Sequence, residues 1–94
     1  RYSTNARLEY HNAVAEFAAI STELADRFVD RVSTIEDELA TFPEMYPLED
    51  ESDPHHRITQ IPGFSWNLVY RVAGRQCWII SIAHERKRPG YWRK

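Results

Sequence analysis

The chain has a single cysteine, no long apolar run and no excess of positive charge, and each scarcity excludes something. Cys77 alone cannot build a disulfide framework, so a packed core has to hold the fold and a reducing cytoplasm is the expected setting. No apolar stretch approaches the roughly 20 residues that a membrane-spanning helix needs. The first residues lack the basic and apolar regions of a signal peptide. A formal net charge of -2 argues against a protein that coats nucleic acid over its whole surface. Ninety-four residues make one domain, taken as 1–94, near the lower limit at which a core suffices without disulfide or metal. There is no initiator Met, and Arg1-Tyr2-Ser3 runs almost at once into a helical pattern. The chain is therefore expected to begin inside a longer one, with a first strand mostly missing.

Charge is unevenly spread. From His84 to Lys94, five cations (Arg86, Lys87, Arg88, Arg93 and Lys94) stand against Glu85, so the tail carries +4 and the rest -6. Such a tail either solubilises the chain or meets an acidic partner.

Ser3 and Thr4 are suitable N-caps for a helix whose apolar residues Ala6, Tyr10, Ala13, Val14, Phe17 and Ala18 recur at helical spacing through Ile20. Ser21-Thr22 gives a turn and a fresh cap. In the second helix Leu24, Phe28, Val32, Ile35, Leu39 and Phe42 step by three and four. So short a joint makes an antiparallel hairpin. Pro43 and Pro47 end the helix, and Glu44 to Pro54 reads as an acidic surface loop. Arg57–Ile61, Ser65–Val72 and the run from Cys77 to Ala83 read as strands. Gly74 lies in the short connection between the last two, which form a hairpin. In the last strand Trp78, Ile80 and Ile82 alternate with Cys77, Ile79, Ser81 and Ala83; which sheet face meets the helices is left open. The expected fold is α+β, an N-terminal antiparallel helical hairpin packed on an antiparallel sheet of three or more strands.

This order resembles the RelE/ParE superfamily of type II toxin–antitoxin toxins over nearly the whole chain. The resemblance is strongest in AHERKRPGYW, Ala83 to Trp92, similar to a recurring last strand, His, Arg, Pro and Tyr-Trp. LADRFVDRV (Leu24 to Val32), the Phe42-Pro43 stop, Arg57 opening a strand and the strand from Trp66 to Tyr70 add to it. The resemblance implies a cytoplasmic toxin held inactive in a hetero-oligomer by a cognate antitoxin. That antitoxin would lay an extended or helical segment across an apolar groove, its acidic residues meeting the cationic tail. RelE-like members cut messenger RNA on the ribosome, whereas ParE-like members inhibit DNA gyrase and are not nucleases.

For metal-independent RNA cleavage, Arg57 and Arg86, supported by Arg88 or Arg71, would hold the phosphate. His84 or Tyr91 would move the proton, and Tyr91 and Trp92 would stack on a base. For a binding inhibitor, Arg86, Lys87, Arg88, Tyr91 and Trp92 would contact the target. RelE-like ribonucleases also carry mid-chain lysines, and here the only lysines are Lys87 and Lys94. The reading therefore leans to a ParE-like gyrase inhibitor, then to the ribonuclease, then to a degenerate toxin that only binds antitoxin. Each side chain also has a plainer role open to it. His84 can bond a neighbouring backbone group, and Arg57 can tether the acidic loop. Tyr91 and Trp92 can pack the tail on the sheet, and Cys77 can be core. His55 and His56, adjacent in a loop, lack the spacing of a metal site, and no metal or other cofactor is expected.

Overall fold

The computed structural model describes residues 1–93. Lys94, counted above with the cationic tail, lies outside them. Helix α1 spans Thr4–Ile20 and α2 spans Thr22–Thr41. The Oγ of Ser3 caps α1, accepting from the Ala6 N–H at 3.1 Å. Ser21, in extended backbone, serves both helices. Its N–H closes α1 on the Phe17 carbonyl, and its Oγ accepts from the Leu24 N–H at 3.0 Å to open α2. One residue thus ends one helix and starts the next, which leaves the hairpin no slack. No helix among the described residues is long and apolar enough to cross a membrane.

The two helices bury different kinds of surface. Helix α2 turns a stripe of Ala25, Phe28, Val32, Ile35 and Leu39 inward. In α1 only Ala6 and Ala13 are buried, with Tyr10, Val14 and Phe17 packed beside them. Two stripe positions are corrected: Ala18 is exposed, and Phe42 caps the C-terminus of α2 with 64% of its surface in solvent. Phe17, Phe28, Phe64 and Trp66 form an aromatic cluster with ring centroids 4.9 to 5.8 Å apart. Burying Phe28 alone contributes on the order of 2 kcal/mol.

The sheet has four antiparallel strands in sequence order: β1 Leu48–Asp50, β2 Asp53–Gln60, β3 Trp66–Ala73 and β4 Gln76–His84. Strand β1 corrects the reading of Glu44 to Pro54 as loop. Asp50 Oδ1 accepts from both the N–H and the hydroxyl of Ser52, closing a tight turn between β1 and β2. Register slips between Leu48↔Arg57 and Asp50↔Asp53, so Pro54 sits in an irregular stretch where its missing N–H costs little. Gly74, at φ +63°, supplies the left-handed residue of the β3–β4 turn.

Strand β4 also departs from plain alternation. Leu68 pairs with Ile82 and Val69 with Ser81, but Tyr70 pairs with Ile79, so Ile80 is an extra residue, a β-bulge. Ile79 and Ile82 consequently share the face that meets the helices, with Leu68 and Tyr70, instead of lying on opposite faces. That resolves the parity: Trp66, Leu68, Tyr70 and Val72 face the helical layer. The outer edge of β4 is closed by residues 1–3. Tyr2 bridges Ile79 in parallel, Ile79 N–H donates to the Arg1 carbonyl and Ser3 N–H to the Ile79 carbonyl.

In the core, the Tyr70 hydroxyl is fully buried and burial pushes its pKa up; the Tyr46 backbone lies near enough to offset part of that rise but closes no hydrogen bond of good geometry with it. An unpartnered buried hydroxyl costs stability. Tyr70→Phe is expected to raise stability by about 1 kcal/mol, read as the urea midpoint. A loss of that size would mean that the hydroxyl is bonded in solution.

Candidate functional site

The cationic tail leaves β4 through a defined turn. His84, opposite Trp66 in the register, sets its ring edge-on to that indole at 6.0 Å. Its Nδ1 accepts from the Arg86 N–H at 3.1 Å and its carbonyl from the Lys87 N–H at 2.9 Å. Glu85 N–H donates to the Ser65 carbonyl, fixing the turn to the start of β3. These bonds put Arg86, Lys87 and Arg88 on an exposed loop. Among the described residues none of the three makes an ion pair, though the Lys87 ammonium lies 4.8 Å from the centre of the Tyr91 ring. The bond from Arg86 to His84 is the neighbouring-backbone role foreseen for that histidine.

Past Pro89 the chain reverses and crosses the sheet face opposite the helices. Val69 and Ser81 are buried there, although no helix covers them. The Tyr91 hydroxyl meets Ser81 Oγ at 2.8 Å and donates to Glu9 of α1. Burial, reinforced by the Glu9 carboxylate, pushes its pKa up to about 12, so the phenol keeps its proton at neutral pH. Trp92 lies 4.5 Å from the His56 ring and is covered by the Arg93 guanidinium at 4.3 Å. Arg93 pairs with Glu49 on β1 and reaches Asp53 Oδ2 at 2.9 Å. Asp53 Oδ2 also meets His56 Nδ1 at 2.9 Å.

The proposed site residues therefore separate into two places. His84, Arg86, Lys87, Arg88, Tyr91 and Trp92 belong to one end of the sheet and its tail. Arg57 stands apart on β2, opposite Tyr70, with Nη1 donating to the Tyr46 carbonyl at 2.7 Å. Four residues along the strands and two strands across put Arg57 on the order of 15 Å from His84. Arg93, not Arg57, is the side chain that tethers the acidic segment. Cys77 is half-buried against the core, and burial raises its thiol pKa.

Glu9, Ser81 and Arg93 were not singled out from the sequence. Glu9 carried a signal: three residues after Ala6 and four before Ala13, it is a carboxylate in the buried stripe of α1. Its Oε1 accepts from the Ile82 N–H at 2.9 Å. Beside it a cleft of about 650 Å³ opens between α1 and β4, lined by Phe17, Trp66, His84 and Lys87 among others.

Two helices on a four-stranded antiparallel sheet, with a cationic exit from the last strand, are consistent with the RelE/ParE fold. A family model described as the ParE toxin of the type II toxin–antitoxin system, parDE, matches residues 10–89, from α1 through the cationic loop, and the chain belongs to that family. A comparison with curated proteins returned no significant match.

The tail's clamp carries a pH dependence. The His55 N–H, then Arg93 and His56, hold the Asp53 carboxyl well below the usual carboxylate range. A depressed pKa gives a contribution present above the ordinary value of about 4 and lost as pH falls through the folded value. Docking of Trp92 should therefore weaken below about pH 4, read as the fluorescence difference between the chain and Trp92→Phe. Asp53→Asn should show the acid-side signal already at neutral pH. An Asp53→Asn signal equal to that of the unaltered chain at neutral pH would rule the clamp out.

Proposed function

We propose that the chain inhibits DNA gyrase in the cytoplasm by binding it, with the loop Arg86-Lys87-Arg88 as the principal contact. The observation that carries this reading is the separation of the groups that RNA cleavage would need. Arg57 is held at the Tyr46 carbonyl far from His84, and the Tyr91 hydroxyl is committed to Glu9 and Ser81. Only His84 and Arg86 adjoin. Three exposed cations on a held loop suit an acidic surface on a large partner, by complementarity rather than proton transfer. The Tyr91 ring, 4.8 Å from the Lys87 ammonium, supports the loop from behind. Membership of a toxin–antitoxin family implies an antitoxin partner, and acidic antitoxin residues over this loop would neutralise the same charges.

Supercoiling by purified gyrase is the test. The chain should inhibit it, and Arg86→Ser with Lys87→Ser and Arg88→Ser should weaken inhibition about ten- to a hundredfold. Arg57→Ala should leave inhibition within about twofold of the unaltered chain once folding is verified. Transcripts cut within codons on ribosomes, with supercoiling untouched, would replace this reading by the ribonuclease. An inert chain that still binds its antitoxin would overturn both.

A further inference from the structure

Glu9 ties helix, strand and tail together. Its two oxygens do separate work: Oε1 accepts from the Ile82 N–H, and Oε2 from the Tyr91 hydroxyl, which also meets Ser81 Oγ. The bulge makes this possible. Ile79 directs its N–H outward to Arg1, and a period of two would turn the next outward N–H to Ser81. The extra residue Ile80 moves it to Ile82, opposite Glu9. The same carboxylate then receives the residue that ends the cationic loop.

The loop is held at its start by Glu85 on Ser65 and Arg86 on His84, and near its end by Tyr91. Tyr91 N–H donates to the Arg88 carbonyl, so the anchored tyrosine sets the course of the last cation. We infer that Glu9 is a positioning residue for target binding: through Tyr91 it holds Arg86, Lys87 and Arg88 in one arrangement before a target arrives. This rests on the loop being the target contact. A loop freed at one end would have to be ordered during binding, which weakens affinity without removing any contact.

The test pairs supercoiling inhibition with tryptic cleavage of the native chain after Arg86 and Lys87. Glu9→Ala and Tyr91→Phe should each raise loop cleavage about tenfold and weaken inhibition by a similar factor. The double variant should show little more than either alone, because both remove one link. Glu9→Gln should restore much of both. Its amide oxygen can take the Ile82 N–H and its NH₂ can donate to the tyrosine oxygen while Tyr91 donates to Ser81. If Glu9→Ala fails to fold, Tyr91→Phe, which leaves the Glu9–Ile82 bond in place, carries the test. A lowered melting temperature with unchanged loop cleavage would reduce Glu9 to a stabilising residue and overturn the inference. So would faster cleavage with full inhibition, provided the triple serine variant loses inhibition. If that variant inhibits as the unaltered chain does, the loop reading itself fails, and the positioning role fails with it.

Discussion

One surplus residue in β4 governs how both faces and one edge of this sheet are used. With Ile80 bulged, Ile79 and Ile82 both face the helices, and Ser81 between them turns to the opposite face to meet the tail. A regular strand would have put Ile79 and Ser81 on one side and Ile82 on the other. The core would then have received a hydroxyl where it now receives an isoleucine, and the tail would have met an apolar side chain with nothing to offer the Tyr91 phenol. The bulge is also what brings an unpaired N–H to Glu9. Core packing, edge closure and tail docking therefore share a single backbone irregularity.

Much of the fold was legible because its signals are local. Ser3 and Ser21 cap the helices as their side chains predict, the α2 stripe is periodic, and Gly74 marks its turn. The misses have long-range causes. The acidic stretch becomes β1 through pairing with β2 and the hold of Arg93, neither visible in a window rich in charge and proline. The bulge leaves no trace in a run of Cys77 to Ala83 that alternates either way. At the site, the cationic loop was readable from composition, whereas the distance of Arg57 depended on strand register. The tail's packing role for Tyr91 and Trp92 was foreseen in kind, but its partners Glu9, Ser81, Glu49 and Asp53 come from four separate elements.

The tail illustrates how charge is divided between structure and recognition. Arg93 is consumed in holding the acidic β1–β2 hairpin, and its bonds to Glu49 and Asp53 keep it from acting elsewhere. Among the described residues Arg86, Lys87 and Arg88, on the stretch between two fixed points, pair with no acid. An acidic body thus presents one cationic prominence. An oppositely charged partner would be steered to that end of the molecule and repelled from the rest.

Strand neighbours in this sheet are also neighbours in the chain, an arrangement that by itself is an open ribbon. The two ends alter its topology. Ser3 reaches Ile80 across 77 residues of sequence, and Tyr91 reaches Glu9 across 82. Together they join the first and last segments on the same strand and turn the ribbon into a ring fastened without a covalent bond. Long closures of this kind cost more chain entropy than the local hairpins do. The part of the molecule that carries the cations is therefore the part whose order reports that the whole ring has closed. A chain with either end undone would keep its local hairpins while losing the contacts that fasten its first and last segments to β4.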